Sequence, residues 1–188
     1  MFTYNDLKNR DIVEKVNLAR YEEAEGLCLK HLKEDPDDEE VLLLLTNIYI
    51  NLEQCGKAIR SGQRALKLNP NSVLGHFLVG GAYGVVGEFD KAVPHMEIAN
   101  KQDPNNVDIL RALGFSLFER GERKAGLFVL ERASEISPND ERTLTCMALC
   151  NKKQGEYKKA LCDANKVLKI NPSNAIACEV KAEIVGDG

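Results

Sequence analysis

VLGHFLVGGAYGVVGEFDKAVPHMEIANKQDPNN, residues 73–106, reads as two helical arms joined by the turn Gly87-Glu88-Phe89 and closed by Asp103-Pro104. The closing proline recurs. Pro36, Pro70, Pro104, Pro138 and Pro172 each follow the last by 34 residues, and five of the six prolines fall on this ladder. A fixed spacing of this length means one supersecondary unit repeated, each copy burying its apolar face against its neighbours.

Other residues keep the same spacing. Two residues after each proline stands Asp38, Ser72, Asn106, Asp140 or Asn174. Each has a side-chain oxygen able to accept from a free N–H in the first turn of the next helix. Twelve residues before each proline stands Ala24, Ala58, Ala92, Gly126 or Ala160, small enough to let two helix backbones approach closely. The turns between arms carry Gly87-Glu-Phe89, Gly121-Glu-Arg123 and Gly155-Glu-Tyr157, with Ala19-Arg-Tyr21 in front. Glycine ends a helix cheaply because it tolerates positive φ.

The series Gly-x-Phe/Tyr-x-x-Ala…Pro at this period resembles the tetratricopeptide repeat family. In the third repeat the motif is carried by Gly80, Tyr83, Gly87, Phe89, Ala92, Ala99 and Pro104, and in the fifth by Ala148, Gly155, Tyr157, Ala160 and Pro172. The resemblance implies an all-α, right-handed superhelical solenoid of five repeats (5–38, 39–72, 73–106, 107–140, 141–174), with a capping helix at 175–185. One solenoid then spans 1–188, with ten to twelve helices and no sheet. The first opening arm, Asn5–Leu18, departs most, having Asp11 and Lys15 where the family places apolar and aromatic groups.

Hydrophobic content of 44% is enough to close a continuous core between stacked arms. No apolar run approaches the length of a membrane span, and Met1–Arg10 lacks a signal-peptide plan, so a cytoplasmic or cytoplasm-facing location is expected. The formal charge of −4, without a basic stripe, argues against nucleic acid as a partner. Charge is unevenly spread: residues 1–40 hold six Lys/Arg and twelve Asp/Glu, while residues 141–174 hold seven and three. Solvated faces and acidic helix caps account for this. The sharper alternative is a homo-oligomer in which an acidic front docks on Lys152, Lys153, Lys158 and Lys159.

Catalysis needs a nucleophile, a base and a positioned partner. His31, His76 and His95 lie at unrelated points of the repeat, and Gly80-Gly81-Ala-Tyr-Gly84 has neither the preceding strand nor the following Lys-Ser/Thr of a phosphate loop. Six cysteines form no Cys-x-x-Cys, and Cys146 and Cys150 have no histidine near them in sequence. The chain is therefore expected to be no enzyme, with no catalytic residue, cofactor or metal, and its cysteines to be small hydrophobes.

Recognition remains. In the family this resembles, opening arms line a concave groove that receives a peptide or helix. Mapped arm by arm, the resemblance places there Leu43, Asn47 and Ile50, then Phe77, Leu78, Gly81 and Gly84, then Arg111, Phe115 and Phe118, then Cys146 and Lys152. Gly81 and Gly84, flanked by Phe77, Phe115 and Phe118, would leave a notch for one large apolar side chain. A subgroup of the family grips acidic chaperone tails with a clamp of Lys, Asn and Arg, which no set of successive repeats here completes. The implied function is a protein-binding scaffold or adaptor. The alternatives are a chaperone of a secretion substrate and a self-assembling scaffold. For the last, Phe89-Asp-Lys-Ala-Val-Pro94 is similar to a run in a magnetosome-associated scaffold of this family.

Overall fold

The computed structural model describes residues 9–186, among which there are eleven helices and no strand. Opening arms are α1 (Arg10–Asn17), α3 (Glu39–Asn51), α5 (Val73–Val85), α7 (Val107–Arg120) and α9 (Glu141–Lys153). Return arms are α2 (Tyr21–Glu34), α4 (Cys55–Leu68), α6 (Phe89–Gln102), α8 (Arg123–Ile136) and α10 (Tyr157–Ile170), and α11 (Ala175–Gly186) follows. The fold is an all-α helical repeat. The expected first arm is shorter than Asn5–Leu18 on its described side, and its residues 5–8 lie outside the described residues.

The caps work as the spacing requires. Asp38 accepts from the Val41 amide, Ser72 from Gly75, Asn106 from Asp108 and Ile109, Asp140 from Thr143, and Asn174 from Ala177. Each such cap stabilises its helix by about 1 kcal/mol. Five inter-arm turns also share one geometry. Ala19, Glu53, Gly87, Gly121 and Gly155 all have positive φ. The amide after each reaches back to the carbonyl of Lys15, Tyr49, Tyr83, Leu117 or Asn151, satisfying a helix end that would otherwise be bare. Pro94 lies inside α6 and does not delay its start. The carbonyl it leaves unserved belongs to Asp90, which is exposed and can take water.

Where the period suggests one uninterrupted stack, the chain divides into two compact units between Gln102 and Asp103. In the first, α1–α6, each opening arm packs on its return arm and on the neighbouring opening arm. Its core centres on Val41, Leu44, Ile48 and Ala58. In the second, α7–α11, the same arrangement buries Leu144, Ala148, Ala160, Val167 and Val180. All five small residues of the return arms are buried. At Gly126 a Cβ would fall 2.5 Å from the Gly114 carbonyl oxygen, so α7 and α8 approach to backbone contact.

Two latches recur at multiples of the period. Arg64 donates to the Pro36 carbonyl, and Arg132, two repeats later, to that of Pro104. Asn69 donates to Glu39, and Asn171, three repeats later, to Glu141. The arginines tie a return arm to the loop that precedes its repeat, and the asparagines tie the end of a return arm to the first turn of the opening arm in the same repeat.

Candidate functional site

The first unit puts the predicted groove residues in two environments. Leu43 and Leu78 are core, only 5% and 6% exposed, and pack with Leu42 and Ala65. Ile50, Leu74 and Phe77 lie partly buried against that cluster. They form a partly exposed apolar strip on the adjacent arms α3 and α5. Asn47 borders it, accepting from Asn51 through both its carbonyl and its side-chain oxygen. Nothing lies within 4 Å of where a Cβ on Gly81 would be. Gly84 is half-buried at the end of α5, where its carbonyl accepts from Gly87.

In the second unit the expectation for Phe118 is overturned. It is 3% exposed and packs with Leu130 and Cys150. The cause is Gly126: a Cβ there would lie 2.6 Å from the Phe118 amide nitrogen and 2.9 Å from its Cβ, so α8 holds this residue against its own return arm. Phe118 therefore cannot wall the notch. Phe115 and Cys146 are partly buried against the same cluster, and burial pushes the Cys146 thiol up from its ordinary range. Burial, reinforced by Cys146, pushes Cys150 up to about 12. Such thiols are poor nucleophiles at neutral pH.

Charged groups on these opening arms are paired across the repeat. Arg142 donates to Asp108 at 2.6 Å and Lys153 to Glu119 at 2.5 Å, both pairs 34 residues apart. Residues one period apart occupy the same slot on neighbouring arms, and opposite charges in one slot meet. Lys152 bonds Glu183 at 2.5 Å. Arg111 bridges Asp108 at 2.5 Å and Asp140 at 3.3 Å. The sequence mapping places Arg111 and Lys152 on these arms but not their pairing, although opposite charges at a 34-residue offset, Asp108 with Arg142 and Glu119 with Lys153, are its visible signal. Burial opposes ionisation of Asp140, but hydrogen bonds from Thr143 and the charges of Arg111 and Arg142 prevail and hold its pKa below the usual carboxylate value.

The histidines serve the helix contacts. His76 Nε2 donates to the Pro70 carbonyl at 3.0 Å, leaving its Nδ1 to accept from His95 Nδ1 at 2.9 Å. Tyr83 stacks on His95 with ring centroids 5.9 Å apart. Burial, with the proximity of His76, lowers the His95 pKa. His31 Nε2 lies 2.9 Å from Asp38 Oδ2, while Asp38 Oδ1 caps α3. Asp35 adds a carboxylate, so that ligand-type atoms of the three lie within 4.8 Å of one another. Among the described residues no helix is long and apolar enough to cross a membrane.

No protein-family model matches the chain. No curated protein matches it either. Solved structures do. TTC0263, a thermophilic TPR protein of Thermus thermophilus, aligns with TM-score 0.77 at 20% identity over 94% of this chain and 95% of its own. MamA from Desulfovibrio magneticus RS-1 aligns with TM-score 0.76 at 18% identity over 90% and 96%. YrrB, a TPR protein with an unusual peptide-binding site, aligns with TM-score 0.70 at 18% identity over 90% and 88%. Helix pairing, caps, turns and these likenesses agree that the chain has the tetratricopeptide-repeat fold.

Proposed function

We propose that this chain is a protein–protein interaction scaffold that receives a peptide or helix of its partner along the opening arms of the first unit. The observation that carries this is the strip of Ile50, Leu74 and Phe77, apolar side chains left partly exposed over a core that Leu42, Leu43 and Leu78 already fill. Such a strip offers anchors, and two or three well-seated ones give roughly micromolar binding after the costs of association. The peptide-binding site of YrrB, on the same fold, is in keeping with this use. The head-to-tail homo-oligomer has less support. Lys152 and Lys153 would have to give up Glu183 and Glu119 to take an acidic partner, exchanging contacts rather than gaining them.

The test compares affinity capture and mass spectrometry on the unaltered chain and on Phe77→Glu. The substitution should remove the captured partner while the chain stays folded, at a cost of about 1–3 kcal/mol in stability. A folded Phe77→Glu protein that retains its partner would show that binding lies elsewhere.

A further inference from the structure

The complete repeats show where a return arm sits. In the third, His76, Gly80 and Tyr83 of α5 face α6: His76 meets His95, a Cβ on Gly80 would lie 3.1 Å from the Ala92 carbonyl oxygen, and Tyr83 stacks on His95. In the fourth, Gly114 and Phe118 of α7 face Gly126. The helix α11 stands in the opening-arm place of a sixth repeat: Asn174 caps it as Asp140 caps α9, and it packs on α9 and α10. Three periods on from His76, Gly80 and Tyr83 come Cys178, Ala182 and Val185. Those residues, with Leu168 and Pro172, line an open cleft of about 610 Å³. Val185 is 61% exposed there. An outermost helix of a repeat stack ordinarily turns a polar face outward. Here Glu179 and Glu183 are exposed on α11, Glu183 bonding Lys152, but the face carrying Cys178, Ala182 and Val185 is apolar apart from Lys181.

We propose that this cleft is a second docking seat, separate from the opening-arm strip, and that it takes an acidic amphipathic helix of a partner protein in the position of a return arm. The chain's own return arms specify the shape: a small residue against Ala182, as Ala92 lies against Gly80, with an apolar or small residue one turn later, as at Cys28, Met96 or Leu130. Charge specifies the sign. Lys181 is the charged residue in the lining. The helix α10, which supplies Leu168, exposes four lysines: Lys166 pairs with the buried Asp163 and Lys159 with Glu156, while Lys158 and Lys169 add positive charge to that of Lys181. Complementarity therefore favours an acidic helix over a basic one.

Two peptides of this chain's own return-arm pattern test the seat: residues 21–34, with four glutamates and two lysines, and residues 157–170, with four lysines and one aspartate. Each is titrated into the isotope-labelled full chain under reducing conditions, and amide shifts are followed by NMR. A helix this short is barely formed when free, so binding should be weak, roughly 0.1–1 mM. The acidic peptide should saturate shifts at Cys178, Ala182 and Val185, with the basic peptide at least about tenfold weaker. Ala182→Arg, at an exposed site, should abolish those shifts with the fold intact. Absence of shifts at several millimolar peptide would overturn the proposal, as would shifts confined to other helices. Concentration-dependent dimerisation through α11 without peptide would overturn it too, making a second copy the occupant.

Discussion

Glu53 has φ 57° at the place where Gly87, Gly121 and Gly155 turn the chain in later repeats. A side chain in this region brings Cβ against the following carbonyl, at a cost of roughly 1–2 kcal/mol, part of which glycine returns as lost chain entropy on folding. Glu53→Gly should therefore raise the free energy of unfolding by about 1 kcal/mol, read from urea denaturation as a higher midpoint with an unchanged slope. A lower midpoint would mean that Glu53 makes contacts outweighing the strain. This turn was not legible in the sequence, because Glu53-Gln54-Cys55 has none of the glycine that marks the others. The five helix caps were fully legible, since a cap needs only the right side chain at the right offset. Phe118 was misread for a related reason. Its position could face the groove or the return arm, and the deciding residue, Gly126, acts by the methyl it lacks. The fourth repeat has a large ring opposite a glycine where its neighbours have alanine, and that exchange was the available signal.

Among the elements, α5 and α6 are joined by a contact that responds to acid. With His76 Nε2 committed to the Pro70 carbonyl, His76 accepts from His95 only while its Nδ1 is unprotonated. The lowered pKa of His95 means that the unfolded chain, near the ordinary histidine value of about 6.5, binds its proton first. Stability should then be full above that value and fall as the pH drops from about 6.5 through the lowered folded pKa. His95→Gln should flatten this part of the melting-temperature profile. An unaltered slope would assign the acid sensitivity to other groups. The charge ladder on α7 and α9 ranks lower energetically. Arg142 is 67% and Lys153 50% exposed, and such pairs contribute about 0.2–1 kcal/mol each at most. Its consequence is to keep cations occupied, and so to deny an acidic partner the basic surface that a count of lysines suggests. A charge count reads only sums, whereas pairing depends on which slots the helices bring side by side.

For the whole molecule, the 34-residue period runs unbroken through Pro104, so the division between Gln102 and Asp103 leaves no mark in the sequence. Periodicity reports that each repeat has the same local plan, and says nothing of how repeats group into compact units. The second unit has what an independent stack requires. Two buried clusters among its described residues, one around Leu144, Val167 and Val180 and the other around Phe118, Leu130 and Cys150, are built from its own helices. Asn106, Asp140 and Asn174 cap its opening arms from within residues 103–188. Glu141 ties the last turn of the stack by accepting from both Asn171 and Asn174, and those bonds lower its pKa. In repeat proteins stability is close to a sum of unit and nearest-neighbour contributions, so removing distant repeats subtracts from the total without dissolving the remainder. A fragment of residues 103–188 should accordingly be helical and unfold in one cooperative transition, at a lower temperature than the full chain. Circular dichroism with thermal melting decides it. A fragment that is disordered, or that gains helix gradually with no transition, would show that the second unit takes its order from the first.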